Sequence, residues 1–340
     1  MGNFMNNTNK YLKPQNYIRY FRNIIGEQLY LKPYKRKNQG VDNLIKNDTI
    51  TIFASPRGGS TWLSNILMAL PKTALIYEPL FRNLYPELQK LNFDWNQHIP
   101  QSDDWPEAYE FFRKLLNREI VNAKIYRRNR FRDLGGSELF IYKIVRGNLL
   151  LPWLVDRFNI NPILLIRHPC SVVASQLNHP GWGWVNRFTN YYIPQGRGHD
   201  VWKPYVSIFK HIKYPEEVLA AEWSILNKYL IDHPYNNDKW LTIAYESMLL
   251  NPEKEIQRIF NRICQKIPKN IEQVIKDPVN TRDEQSEKLI RSGEQLTIWE
   301  NRLTQIQIAR ILNIVGEFDI QFYNRDPFPD LSLVYPRQKY

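Results

Sequence analysis

Cysteine is nearly absent from this 340-residue chain, which carries only Cys170 and Cys264. Two thiols so far apart exclude a disulfide framework and a thiolate metal site, and point to a reducing, cytoplasmic setting. Long hydrophobic runs are also missing: nothing approaches the roughly 18 apolar residues of a membrane span. The polar opening MGNFMNNTNK lacks the apolar heart of a signal peptide, and Asn6 breaks the myristoylation pattern that Gly2 would begin. Glycine is sparse, at 14 residues, so the pair Gly58-Gly59 stands out. Internal repeats and low-complexity tracts are missing, and no metal site is expected.

What is abundant is positive charge. Lys and Arg number 46 against 34 Asp and Glu, a formal net charge of +12. The partner is therefore expected to be anionic: a nucleotide, a sulfated or phosphorylated sugar, nucleic acid or an anionic membrane. The basic clusters, Lys35-Arg36-Lys37 and Arg127 to Arg132, are short and read as solvated loops rather than a nucleic-acid track. With 43% hydrophobic and 24% charged residues the composition is that of a globular protein. The length suits one large domain with attachments.

The first strand signal comes only at Thr49 to Ala54, so residues 1–47 are expected to be a helical extension. Within it Tyr17, Ile18, Phe21, Ile24, Ile25 and Leu29 recur at helical spacing, the pattern of a packing helix. Further short apolar runs at Ala74 to Tyr77, Leu139 to Val145, Pro162 to Ile166 and Trp240 to Ala244 fit buried parallel strands. Helices are expected at 61–69, 106–121, 149–157, 169–178, 216–231, 252–265 and 304–315. This alternation predicts an α/β protein: a P-loop-like three-layer fold with a central parallel sheet flanked by helices.

The segment Ser55-Pro56-Arg57-Gly58-Gly59-Ser60-Thr61-Trp62 follows the first strand and enters a helix, the position of a phosphate loop. Its glycines let backbone amides approach an anion, the helix start adds its positive dipole end, and Ser60 and Thr61 supply hydroxyls. A plain strand-to-helix turn is the alternative. The loop is not G-x-x-x-x-G-K-[ST]: its cation, Arg57, precedes the glycines. In Arg167-His168-Pro169-Cys170 through Ser175, Arg167 ends a strand and Ser175 lies on the following helix, which suits a second anion cup; a surface ion pair at Arg167 with Ser175 packing on the sheet is the alternative on these residues alone.

Together these strings resemble the sulfotransferases that use 3′-phosphoadenosine 5′-phosphosulfate (PAPS). F-A-S-P-R-G-G-S-T-W-L is similar to their 5′-phosphosulfate loop, P-[RK]-[ST]-G-[ST]-[ST], with Gly58 in place of a hydroxyl residue. R-H-P-C-S-V-V-A-S matches their 3′-phosphate motif R-x-P-x-x-x-x-x-S. The resemblance runs from about Asp48 to Arg325, making 48–325 the sulfotransferase domain and 326–340 a C-terminal tail. It implies that Ser55, Arg57, Gly58, Gly59, Ser60, Thr61, Trp62, Arg167, Ser175 and Tyr245 bind PAPS without a metal. Trp62 and Tyr245 would lie by the adenine. Ala220 to Asn227, Trp299 to Leu303 and Arg291-Ser292-Gly293 are similar to later family segments, and Arg291 and Gly293 are further candidates for the 3′-phosphate. His168 and Cys170 fall at variable positions of the motif and receive no chemical role; Cys170 is read as packing.

An acceptor hydroxyl must lose its proton as it attacks sulfur, so a base is required near the loop. The family branch acting on phenols and steroids uses histidine in K-T-H. The matching place here is Lys143-Ile144-Val145-Arg146, with valine at the histidine position. Tyr77-Glu78-Pro79-Leu80 instead resembles the [FY]-E-P segment of carbohydrate-type and bacterial members. Glu78 is therefore the expected general base, with Arg57 as its catalytic partner, and the expected acceptor is a glycan. Aromatic residues from Trp182 and Trp184 through Phe188, Tyr191, Tyr192, Trp202 and Tyr205, with Arg187, Arg197 and Lys203, are the expected acceptor surface, either as exposed sugar-stacking faces or as a lid. A P-loop small-molecule kinase and a basic nucleic-acid-binding protein are the competing readings.

Overall fold

The first apolar run forms β1 (Thr49–Ala54), in which every residue is buried. It lies at the centre of a five-stranded sheet with β2 (Thr73–Tyr77), β3 (Leu139–Ile144), β4 (Asn161–Ile166) and β5 (Leu241–Ala244), in the order β2-β3-β1-β4-β5. All neighbouring pairs are parallel, with Ile52 opposite Lys143 on one side and Ile163 on the other. A computed structural model describes residues 25–38, 48–81, 86–187, 193, 198–276 and 294–335.

Side chains alternate across a strand, so β1 feeds two separate cores. Ile50, Ile52 and Ala54 pack with Leu63, Ile66, Ile141, Ile163, Ile243 and Ile259 beneath one face. Phe53 joins Tyr142, Ile144, Leu164, Val173, Trp223 and Ile311 on the other. The first core is covered by the helices Ser60–Leu67 and Pro252–Arg262, the second by Pro169–Leu177, Pro215–Ile231 and Gln305–Glu317. This is the α/β, P-loop-like three-layer arrangement read from the sequence. Trp153, Trp223, Trp240 and Trp299 are among the fully buried side chains, and truncating one such indole to alanine typically costs about 3–5 kcal/mol.

Two helices stop three or more residues before the end of their sequence pattern. The expected helix 106–121 ends at Leu116 and the expected helix 252–265 at Arg262. In both cases a non-glycine residue turns left-handed just beyond the end, Arg118 at φ 64° and Cys264 at φ 53°. The amides that follow close the last turn: Glu119 donates to the Lys114 carbonyl at 2.9 Å and Gln265 to that of Phe260 at 3.0 Å. These are Schellman closures without the usual glycine, and so without a glycine signal to read. The expected helix 149–157 begins as a 3₁₀ turn, Asn148–Leu150, and continues as Leu151–Val155.

Most of the predicted extension helix, residues 17–24, lies outside the described residues. Its described end turns a different face inward. Ile25 and Leu29 are 55% and 61% exposed, whereas Leu31 and Tyr34 join the main core. Near the other terminus Val334 and Tyr335 are buried, and the Tyr335 hydroxyl accepts from the Ala244 amide at 2.8 Å, capping the edge of β5. Among the described residues no helix is long and apolar enough to cross a membrane, and no group of acidic, histidine or cysteine residues could hold a metal ion.

Candidate active site

Every strand delivers a polar residue at its carboxyl end. β1 leads into Ser55 to Gly59, β2 into Glu78, β3 into Arg146, β4 into Arg167 and β5 into Tyr245. The chain leaves β1 toward β2 but leaves β4 toward β5, so β1 and β4 flank the point where the winding reverses. Crevices at such points are where open α/β sheets bind ligands.

The loop after β1 is a tight turn in which the Gly58 amide donates to the Ser55 carbonyl at 2.9 Å. A Cβ on Gly58 would lie 2.8 Å from that same oxygen, so glycine is required where the family pattern has a hydroxyl residue. Arg57 is left-handed, with φ 71°, and Gly59 follows at φ 95° as the N-cap of the Ser60–Leu67 helix. No side chain caps this helix, and the amides of Gly59, Ser60 and Thr61, at its start, have no intrahelical acceptor, the arrangement that suits an anion. A Cβ on Gly59 would meet the Tyr245 ring at 2.5 Å. Tyr245 itself opens the helix Tyr245–Leu250 rather than closing the strand, and it meets Trp62 edge-on with ring centroids 5.4 Å apart. Trp62 and Tyr245 are both buried, and the Trp62 indole N–H has no partner.

The second cup adjoins the first. Arg57 donates from Nε to the Ser175 hydroxyl at 3.0 Å, and the Gln176 side chain donates from Nε2 to the Pro56 carbonyl at 2.9 Å. Arg167 lies over the Tyr245 ring, 4.2 Å from its centroid, and reaches toward the Arg57 carbonyl at 3.5 Å. Its Nε is buried without a hydrogen-bond partner. Arg57 is exposed by area, yet its guanidinium is crowded enough that desolvation, followed by the charge of Arg167, lowers its pKa from the ordinary arginine value. Two arginines held so close would be stabilised by an anion between them. The donor set and the unpartnered Arg167 Nε fit a nucleotide with phosphates at two positions.

Behind these cups are residues to which the sequence assigned no contact. Asn227 donates to the Ser55 hydroxyl at 3.2 Å, and the Trp223 indole donates to the Arg167 carbonyl at 3.0 Å. His168, fully buried, caps the Pro169–Leu177 helix: its Nδ1 accepts from the Cys170 amide at 3.2 Å while Nε2 lies 3.0 Å from the Asn324 carbonyl. Trp299 stacks on the ring at 4.9 Å. The His168 amide donates to Glu246 at 2.8 Å, and the Tyr323 hydroxyl donates to the same carboxyl group at 2.6 Å. Burial pushes the pKa of both Glu246 and Tyr323 up. Cys170 is a packing residue, its thiol pushed up to about 12 by burial.

Glu78 stands at the end of β2 with φ 49°, its amide bonded to the Lys143 carbonyl at 2.9 Å. Its carboxylate is clamped by Lys143 Nζ and Arg146 Nη1, each at 3.3 Å. Lys143 also donates to the Thr61 hydroxyl at 3.0 Å, linking Glu78 to the phosphate loop. The signal for Lys143 was present as a single lysine inside the apolar run of β3, where only a paired charge is tolerated.

The expected acceptor surface fares differently. Trp202 is 1% exposed and belongs to the core, because it packs against Phe209 at 5.7 Å, so it offers no face to a sugar. Tyr205 stacks on Phe318 at 4.5 Å. Trp184 is 46% exposed on the 3₁₀ segment Pro180–Arg187. Phe188, Tyr191, Tyr192, Arg197, Arg291 and Gly293 lie outside the described residues.

No protein-family model matches the sequence, and no curated protein matches it. The structure is similar to solved sulfotransferases. One is the sulfotransferase domain of a Synechococcus olefin synthase, at 16% identity and TM-score 0.44, covering 81% of this chain and 95% of that one. Another is a mouse sulfotransferase in complex with PAP, at 12% identity and TM-score 0.41, covering 87% and 90%. A third is a sulfotransferase from Mycobacterium tuberculosis, at 12% identity and TM-score 0.40, covering 82% and 84%. Likeness at these scores is a matter of general shape, and the chemistry has to come from the residues.

Proposed function

We propose that the chain is a PAPS-dependent sulfotransferase that transfers a sulfuryl group to a hydroxyl or amine of a carbohydrate acceptor. The observation that carries this reading is the 3.0 Å bond from Arg57 to Ser175, which makes one crevice of two anion cups. Arg167 and Ser175 would hold the 3′-phosphate. The loop amides from Gly59 to Thr61, with Arg57, would hold the phosphosulfate, and Trp62 and Tyr245 would border the adenine.

When bound, the donor supplies an electrophilic sulfur whose bond to the phosphate oxygen breaks as the acceptor oxygen or nitrogen bonds to it, releasing 3′,5′-ADP. Glu78 accepts the proton that the acceptor loses. Arg57 faces the oxygens on which charge gathers in the transition state, and the helix-start amides add fixed dipoles there. Lys143 keeps Glu78 and Thr61 in register, so base and phosphate loop hold one geometry.

The test is thermal stabilisation of the purified protein by 3′,5′-ADP and by 5′-AMP. The expected result is a larger rise in melting temperature with 3′,5′-ADP; ligand at about 100 Kd adds about 2.7 kcal/mol of stability. Equal shifts would sink the reading. A small-molecule kinase would instead show Mg²⁺-dependent ATP hydrolysis, which the absence of a P-loop lysine in the Ser55–Trp62 loop disfavours.

A further inference from the structure

Around Glu78 the charges do not balance. Lys143 and Arg146 share its single carboxylate. The neighbouring Tyr77 ring carries more cations: Lys143 and Arg127 each lie 4.2 Å from its centroid, and Arg128 lies 5.3 Å away. Among the described residues neither Arg127 nor Arg128 has a carboxylate partner; Arg127 reaches only the Lys124 carbonyl, at 2.9 Å. Four cations therefore adjoin one anion, and Arg127 and Arg128 are both exposed. Attraction to the tyrosine ring holds the arginines near it without neutralising them.

The other flank of Glu78 is aromatic. Arg146 lies 4.9 Å from the centroid of Phe81 and 5.1 Å from that of Trp95. Those two rings meet edge-on at 5.6 Å, and Trp95 is 43% exposed. A continuous series of contacts thus runs from Trp95 through Arg146, Glu78, Lys143 and Tyr77 to Arg127 and Arg128. An exposed indole presents an apolar face to the C–H face of a sugar ring, and paired guanidinium groups bind carboxylate or sulfate oxygens with fixed geometry.

Resting on the sulfotransferase reading, we propose that Trp95, Arg146, Arg127 and Arg128 form the acceptor subsite. The acceptor is an acidic saccharide, carrying a carboxylate or an ester sulfate near the group to be modified. The subsite lies at the β2 and β3 ends of the crevice, where Glu78 and Arg146 stand.

Isothermal titration in the presence of saturating 3′,5′-ADP tests this with a heparin hexasaccharide and with a neutral cello-oligosaccharide of similar length. The acidic oligosaccharide is expected to bind and the neutral one to bind at least tenfold more weakly. Trp95→Ala, and the double variant Arg127→Ala with Arg128→Ala, are each expected to weaken acidic binding by about tenfold or more. The pair Lys266→Ala with Lys269→Ala removes the same charge from the exposed loop after Arg262 and is expected to leave binding within about twofold. The proposal is overturned by equal affinity for the two oligosaccharides, by no binding of the acidic one, or by equal losses in the two double variants. Melting shifts with 3′,5′-ADP, measured on every variant, report on the donor site separately. If those shifts persist while acidic binding fails, the acceptor inference falls alone; if they are absent from the unmodified protein, the sulfotransferase reading falls with it.

Discussion

Arg57 donates its Nε hydrogen to the hydroxyl of Ser175, 118 positions further along the chain, at 3.0 Å. The bond ties the loop after β1 to the helix after β4, so the two candidate anion cups adjoin. It also leaves the outer guanidinium nitrogens of Arg57 and the Nε of Arg167 for a ligand.

The first prediction separates these two arginines. Arg167→Ala removes the only one that the sequence motif assigns to the 3′-phosphate. A hydrogen bond to a charged group contributes about 1.5–3 kcal/mol, so affinity for 3′,5′-ADP is expected to fall roughly 10- to 100-fold while 5′-AMP affinity changes little. Calorimetric titration of both nucleotides checks it. A parallel loss for the two would show that Arg167 serves the fold rather than the phosphate.

Gly58→Ser would restore the hydroxyl that the resembling loops carry, yet the structure predicts harm. The new Cβ would lie 2.8 Å from the Ser55 carbonyl that closes the turn. Strain of that kind typically costs about 1–3 kcal/mol. Both the melting temperature and 3′,5′-ADP affinity are expected to drop. A serine variant that binds more tightly than the parent would mean the turn is more forgiving than its geometry.

Much of this site was readable from residues alone. β1 was visible because Thr49 to Ala54 is buried on both faces, so the run carries no charge and only β-branched Thr49 and Thr51 among its apolar residues. Arg57, Arg167 and Ser175 were visible because their local spacing is set by a strand end and one helix. Lys143 and Arg146 carried a weaker signal: their partner, Glu78, comes from another strand, and register rather than sequence distance joins them. His168 and Glu246 were hidden for a similar reason, since their bond spans 78 positions. Whether Trp202 offers an exposed face was not legible, because composition marks an aromatic residue without saying whether its face is covered.

The base assignment predicts a split between chemistry and binding. Glu78→Gln keeps the shape and can still accept from Lys143, but it cannot take a proton at neutral pH. Turnover is expected to fall about 10²- to 10⁴-fold, with the 3′,5′-ADP melting shift preserved. Radiolabelled sulfuryl transfer and thermal shift on the same preparation supply both readings. Near-normal turnover would move the base elsewhere, and loss of nucleotide binding would make Glu78 a loop support.

The last prediction concerns acid. Both nitrogens of the His168 ring are committed, with Nε2 facing the Asn324 carbonyl and Nδ1 accepting from Cys170, so a proton on Nδ1 would break the helix cap. Burial accordingly holds its pKa down to about 4, against 6.5 for a free imidazole. The unfolded chain takes up this proton near pH 6.5 and the folded chain only near pH 4, so between those values the unfolded state binds more protons and stability falls as pH falls. The contribution is complete above pH 6.5 and amounts to roughly 3 kcal/mol lost by about pH 4. His98, also lowered to about 4 by burial, adds a loss in the same direction. Urea unfolding at pH 7.5, 6.0 and 4.5 is expected to show this decline, and His168→Gln to flatten it by removing one of the two titrations. Unchanged pH dependence in that variant would place the acid sensitivity in other groups. Because His168 directly follows Arg167, loss of nucleotide binding is expected to precede global unfolding on acidification.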